Sequence, residues 1–202
     1  MKDLSEIFDR KKEYWSQVVD AGKLSLPTGQ LVISDPFQCC DASPMKIRVV
    51  KGTYPISLYL KEQGKRGVRV AYAKIDFSRG QVDTWKPALT ENDMSYHLVD
   101  SGLSSFMDYD TSVKFCDLLR NFRTKFPGGN YYTDVLAKEF KANVSEEAKG
   151  GIGEWCLHDP FNDGNNNISM FASGLGDGQY SAWWGFLNDK ASTLVIDFDI
   201  DK

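Results

Sequence analysis

The chain has 202 residues, 42% of them hydrophobic and 26% charged, with a formal net charge of −4. That balance buries a core within one domain and excludes global disorder. The acid excess, with no basic stripe, excludes nucleic acid as the expected partner, and no apolar run is long enough for a membrane span.

The opening MKDLSEIFDRKKEYW is charged throughout and lacks the apolar stretch of a secretory signal. Residues 4–21 predict an amphipathic helix with Leu4, Ile7, Phe8, Trp15, Val18 and Val19 on one side and Gly22 as its stop. The expectation is a single domain over 1–202, with this helix (1–22) packed on it. LPTGQLVISDPF predicts a turn at 27–29 and a strand over 31–34 that Asp35-Pro36 ends, because proline removes a donor and restricts its neighbour. MKIRVVKGTYPISLYL reads as two strands around Lys51-Gly52. GVRVAYAKIDF reads as a further strand, and YHLVDSGLSSFMD as a short strand ending in a Gly/Ser turn.

From Thr111 the period turns helical. Val113, Phe115, Cys116, Leu118, Leu119 and Phe122 suit one helix, which Pro127-Gly128-Gly129 breaks, and residues 131–143 suit a second. SEEAKGG is a polar linker. GEWCLHD, NISMFAS, QYSAWWGFL and STLVIDFDID then read as four closely spaced strands. In the last, Leu194, Ile196, Phe198 and Ile200 alternate with Asp197, Asp199 and Asp201. Strands this close leave no room for parallel crossovers. The expected fold is α+β with a mainly antiparallel sheet, sandwich-like or strongly curved, an N-terminal helix, and a helical pair inserted before the last four strands.

Overt chemistry is sparse. Cys39, Cys40, Cys116 and Cys156 have irregular spacing, so reduced thiols in the cytoplasm are expected rather than a disulfide framework. A zinc set drawn from them with His97 and His158 lacks a close ligand pair, so neither metal nor cofactor is expected. In SGLGDGQYSAWWG the glycines lack the spacing of a phosphate loop, and Asp177-Gly178 reads as a hairpin turn. Beyond it a strand puts Tyr180, Ala182 and Trp184 on one face and Trp183 on the other. The two tryptophans therefore meet different surroundings, and one of them covers a second surface or faces a partner. HDPFNDGNNNIS is rich in calcium-type ligands but equally in turn formers, and reads as a loop. Glu154, Cys156 and His158 share a strand face and could form a nucleophilic site, although spacing alone does not imply the geometry. Asp35, Asp108 and Asp110 fall at strand ends or turns, where carboxylates either cap the chain or pair as acid and base, and an enzymatic pocket would gather Asp35, Asp108, Asp177 and His158.

LPTGQLVISDPF, KGTYPISLYL, VAYAKIDF, Trp85-Lys86-Pro87-Ala88, VDSGLSSFMD, SMFASGLGDGQYSAWWG and LVIDFDI occur in this order over residues 24–200. Together they resemble a bacterial family known only as a domain of unknown function. Its pattern is a TG-x-(V/I)-x-x-x-DP opening, a PG-x-YPV strand, a D-x-G-x-x-x-(F/Y)-MD segment and an SG-W-GDG-x-Y-x-x-(Y/W)-WG ending. Lys51 stands where that family often has proline, and Leu175 where it usually has tryptophan. The resemblance implies a stand-alone bacterial cytosolic domain and carries no catalytic residues. Its members are similar to small proteins encoded beside secreted toxins, which implies an immunity-type role by analogy.

The functional expectation is a cytoplasmic protein-binding domain, more an immunity protein for a toxin or effector than an enzyme, with neither nucleic acid nor membrane as partner. Its candidate binding residues are Asp35, Asp108, Asp177, Tyr180, Trp183 and Trp184. The alternative is a hydrolase or small-ligand-binding enzyme with a carboxylate-lined pocket.

Overall fold

The computed structural model describes residues 4–8, 14–143 and 154–200. The fold is α+β with antiparallel sheets, as expected. One sheet runs β1 (Gln17–Leu26), β3 (Gly52–Glu62), β4 (Val68–Asp76), β11 (Lys190–Asp197), β10 (Gly178–Leu187), β5 (Thr84–Pro87), and β6 (Tyr96–Val99) pairs the other half of β10. The second sheet runs β2 (Leu31–Ser34), β7 (Leu103–Asp108), β9 (Ile168–Ala172), β8 (Trp155–His158).

The second sheet is buried on both faces, and the period of two explains how. On one face Leu31, Ile33, Phe106 and Phe171 join the core of the larger sheet. On the other, Val32, Met107, Ile168, Met170 and Cys156 join a separate core under the helices. Those helices are α2 (Tyr109–Lys125) and, after Pro127-Gly128-Gly129, a π-turn over Tyr132–Leu136 running into α3 (Ala137–Ala142). Phe115, Leu119, Leu136 and Phe140 fill that helical core. The layers are thus helices, small sheet, large sheet, and over the large sheet the N-terminal residues. Phe8, on α1 (Ser5–Phe8), and Trp15 lie edge-on to Tyr59 and Tyr72 with ring centroids 4.9–5.8 Å apart. Among the described residues no helix is long and apolar enough to cross a membrane.

Four expectations need correction. The N-terminal helix does not reach Gly22: Gln17–Leu26 is a strand, and residues 9–13 lie outside the described residues, as does the linker at 145–151. Val18 and Val19 pair with Tyr59 and Leu58, so β-branched residues with a strand to join override an amphipathic pattern. Gly22 sits in a bulge of β1, with its N–H donating to Asp20 Oδ1. Second, residues 45–50 form only isolated bridges, Met45 to Thr90 and Gln30 to Arg48, while YHLVDSGLSSFMD contains two strands in different sheets. Third, Asp177-Gly178 is not a hairpin turn. β9 and β10 belong to different sheets, and the positive φ angles fall on Gly174 and Gly176. Fourth, two cysteines are bonded: Cys40 and Cys116 form a disulfide with Cα atoms 5.2 Å apart. Their sequence separation of 76 hid this, because a 3-10 segment over Pro36–Asp41 leans on α2 and closes the gap.

Candidate functional site

Asp35 and Asp108 are buried and Asp177 is exposed, and each of the three holds backbone. Asp108 caps α2: its Oδ1 accepts from Asp110 N at 3.0 Å, and its Oδ2 from Thr28 N at 3.0 Å and Thr28 Oγ1 at 2.7 Å. Gly29 beside it has φ +72°, and a Cβ there would stand 2.3 Å from Val49 O. The Thr-Gly and Met-Asp pieces of the sequence pattern are therefore one physical joint. Asp35 caps the 3-10 segment through Phe37 N at 2.9 Å, and its Oδ2 accepts from Asp100 N at 3.0 Å and Ser101 N at 2.8 Å. Asp177 Oδ1 accepts from Gly102 N at 2.9 Å. Asp35 and Asp177 thus grip three consecutive amides of one turn, and Asp108 stands apart at the far end of β7.

That turn forms part of a cavity of about 570 Å³ to which Ser101, Gly102 and Leu103 contribute. Leu119, Phe122 and Arg123 of α2 supply a second wall, and Phe37 of the 3-10 segment a third. Gly129–Tyr132 complete it, with Ala172 at the end of β9. Among the described residues no aspartate or glutamate lines it, and Arg123 is its only charged side chain. Each wall is fastened: the turn by Asp35 and Asp177, the 3-10 segment to α2 by the disulfide, and Tyr131 through a buried histidine. The sequence reading missed these residues. The one available signal was the aromatic density of FRTKFPGGNYY between the helices.

The fastening at Tyr131 is a hydrogen-bond chain. His158 Nδ1 lies 2.9 Å from Glu139 Oε1, and its Nε2 lies 2.9 Å from Tyr131 Oη. A carboxylate only accepts, so in the neutral imidazole Nδ1 carries the proton and Nε2 accepts from the phenol. Burial, reinforced by the Glu139 charge, pushes the Tyr131 phenol up to about 12. The chain of hydrogen bonds locks Tyr131 in place. His158 does share a strand face with buried Cys156, as expected, but its carboxylate partner comes from α3 rather than from Glu154. Burial pushes the Cys156 thiol well above its ordinary value, and that of Cys39 up to about 12, so neither is a thiolate.

Tyr180, Trp183 and Trp184 lie along β10 of the large sheet. Tyr180 Oη donates to Gly176 O at 2.8 Å and Ser173 O at 3.1 Å, closing the glycine turn on its own strand. Its ring lies 5.0 Å from that of Phe198, which meets Phe171 of the small sheet at 6.1 Å. Trp184 is buried, 5.6 Å from Phe77. Half-buried Trp183 opposes Val195 and Pro87 on the opposite face, the one bearing Lys74 and Tyr72 under the N-terminal residues. The two tryptophans do meet different surroundings, as strand alternation requires. In the Asp/Asn loop, Asp163 Oδ1 accepts from Asn165 N and Asn166 N at 2.8 and 2.9 Å, and the Asn165 bond leads in holding its carboxyl below the usual range. Among the described residues no cluster of three histidines, cysteines or carboxylates could hold a metal. A second cavity of about 290 Å³ lies beside Asp35, Asp41 and His97. There burial lowers His97 to about 4, and its Nε2 lies 2.8 Å from Ser104 Oγ.

No curated protein and no solved structure matches the chain. A family model matches residues 24–196, and the chain belongs to the family described as "Protein of unknown function (DUF4241)".

Proposed function

We propose that this domain is a protein-binding module that seats an apolar side chain of its partner in the cavity between α2 and the 100–102 turn. Its role is that of an immunity-type protein masking a bacterial toxin or effector. One observation carries the reading: the candidate acids hold backbone amides, and two of them position a wall of a cavity whose lining includes neither aspartate nor glutamate. An aromatic recess with rigid walls is what a protein anchor requires, since preorganisation lowers the cost of docking. Coexpression with the product of a neighbouring toxin-like gene tests it. The wild type co-purifies in a stoichiometric complex and protects growth, whereas Ser101→Trp, which fills the cavity mouth, does neither. A complex indifferent to Ser101→Trp overturns the assignment of the cavity, and absence of any complex overturns the binding role.

The smaller cavity supports a second reading, a small-ligand site using Asp41 and His97. Both oxygens of Asp35 are already engaged there, which leaves Asp41 as its available carboxylate. A ligand whose binding is lost in Asp41→Asn and kept in Ser101→Trp favours this reading.

A further inference from the structure

Resting on the docking role of the larger cavity, we propose the chemistry of its occupant: an extended partner segment that pairs an apolar side chain with a neighbouring carboxylate. The apolar group fills the space between Leu119, Phe122 and Phe37, and the carboxylate meets Arg123 at the mouth. Arg123 is exposed and forms no ion pair among the described residues. Its guanidinium is a preformed two-pronged donor for a carboxylate.

Its neighbours along α2 carry the same sign, while the carboxylates of Asp35 and Asp177 on the opposite wall hold the amides of the turn. On a chain of net charge −4, α2 from Lys114 onward holds Lys114, Arg120, Arg123 and Lys125 against Asp117 alone. Asp117 is already taken by Arg120 Nη1 at 3.2 Å. Asp134, beside the rim, is turned onto the loop itself, where its Oδ2 accepts from Asn130 N at 2.9 Å. A second depression of about 540 Å³ adjoins the first through Phe122, and Lys114, Lys125, Phe126 and Phe161 border it. A segment crossing Phe122 meets apolar hollows flanked by cations on both sides. Phe126 is 49% exposed there, an aromatic left uncovered beside positive charge.

Three N-acetylated, C-amidated hexapeptides test the inference: Gly-Ser-Phe-Asp-Ser-Gly and its Asn-for-Asp and Ala-for-Phe counterparts. Each is titrated into the full chain while the amide resonances of Gly102 and Gly129 are followed. The Phe-Asp peptide moves both resonances and binds at least about fivefold more tightly than the Asn peptide, as expected for a charge-assisted pair. That preference disappears in Arg123→Gln, persists in Arg123→Lys, and fades as salt rises from about 50 to about 300 mM. Equal affinity of the Asp and Asn peptides, or a preference that survives Arg123→Gln, overturns the carboxylate assignment while cavity docking stands. If no peptide moves either resonance, both readings fail.

Discussion

The two outer layers of the molecule are fastened by different means. Over the large sheet, the N-terminal residues are held chiefly by ring contacts of Phe8 and Trp15 with Tyr59 and Tyr72, with hydrogen bonds that include Trp85 Nε1 to Ser5 Oγ at 2.9 Å and Lys61 Nζ to Tyr14 Oη. On the small sheet, the helical layer has a disulfide, an aspartate cap and the Glu139–His158–Tyr131 chain besides its apolar core. Apolar contact is non-directional and tolerates sliding, whereas hydrogen bonds and covalent bonds fix position. The layer that needs exact placement is the one that walls the cavity.

The largest test of this contrast lies in the helical core. Phe115→Ala costs about 4 kcal/mol in denaturant titrations, since a fully buried ring is replaced by a cavity. It also broadens the Gly102 and Gly129 resonances. Trp15→Ala costs about as much by the same measure but leaves those resonances in place. The divergence in the second readout is the comparison itself, and equal disturbance by both variants breaks it.

His97, between the layers, sets a pH dependence. Its folded value of about 4 lies below the unfolded 6.5, so its contribution is complete above pH 6.5 and is lost as pH falls toward 4. The loss is about 3 kcal/mol, and His97→Gln flattens that part of the pH–stability curve. Reduction of Cys40–Cys116 costs about 2–4 kcal/mol. Hydrogen exchange then accelerates in the 3-10 segment and α2 and stays unchanged in β1. The smallest effect is Tyr131→Phe, about 1 kcal/mol by thermal melting, from the lost bond to His158. It weakens peptide binding in the cavity, whereas Ser5→Ala, of similar cost, does not.

The strands of the C-terminal half were legible because their periods are clean and their turns short, and Leu31–Ser34 was bounded by Asp35-Pro36 as read. The N-terminal helix was misread because Val18 and Val19 fit either period, and only β3 decides between them. The aspartates were found by residue type, but their partners lie 65, 75 and 80 residues away, beyond any local pattern. The cavity was invisible for the same reason. Its walls come from five separate stretches, and Arg123 reads locally as one more charge on a helix surface.

The three-amide grip on the 100–102 turn also orders events in time as the chain is synthesised. Asp35 already precedes the turn when it emerges, but the third amide waits for Asp177, which is made 75 residues later. β10 and β11, which tie that aspartate into the large sheet, come later still. Translation at about 5–20 residues per second puts several seconds between the turn and its last clasp. The walls of the recess are therefore joined only once Asp177 and the strands after it have been made, seconds after the turn itself.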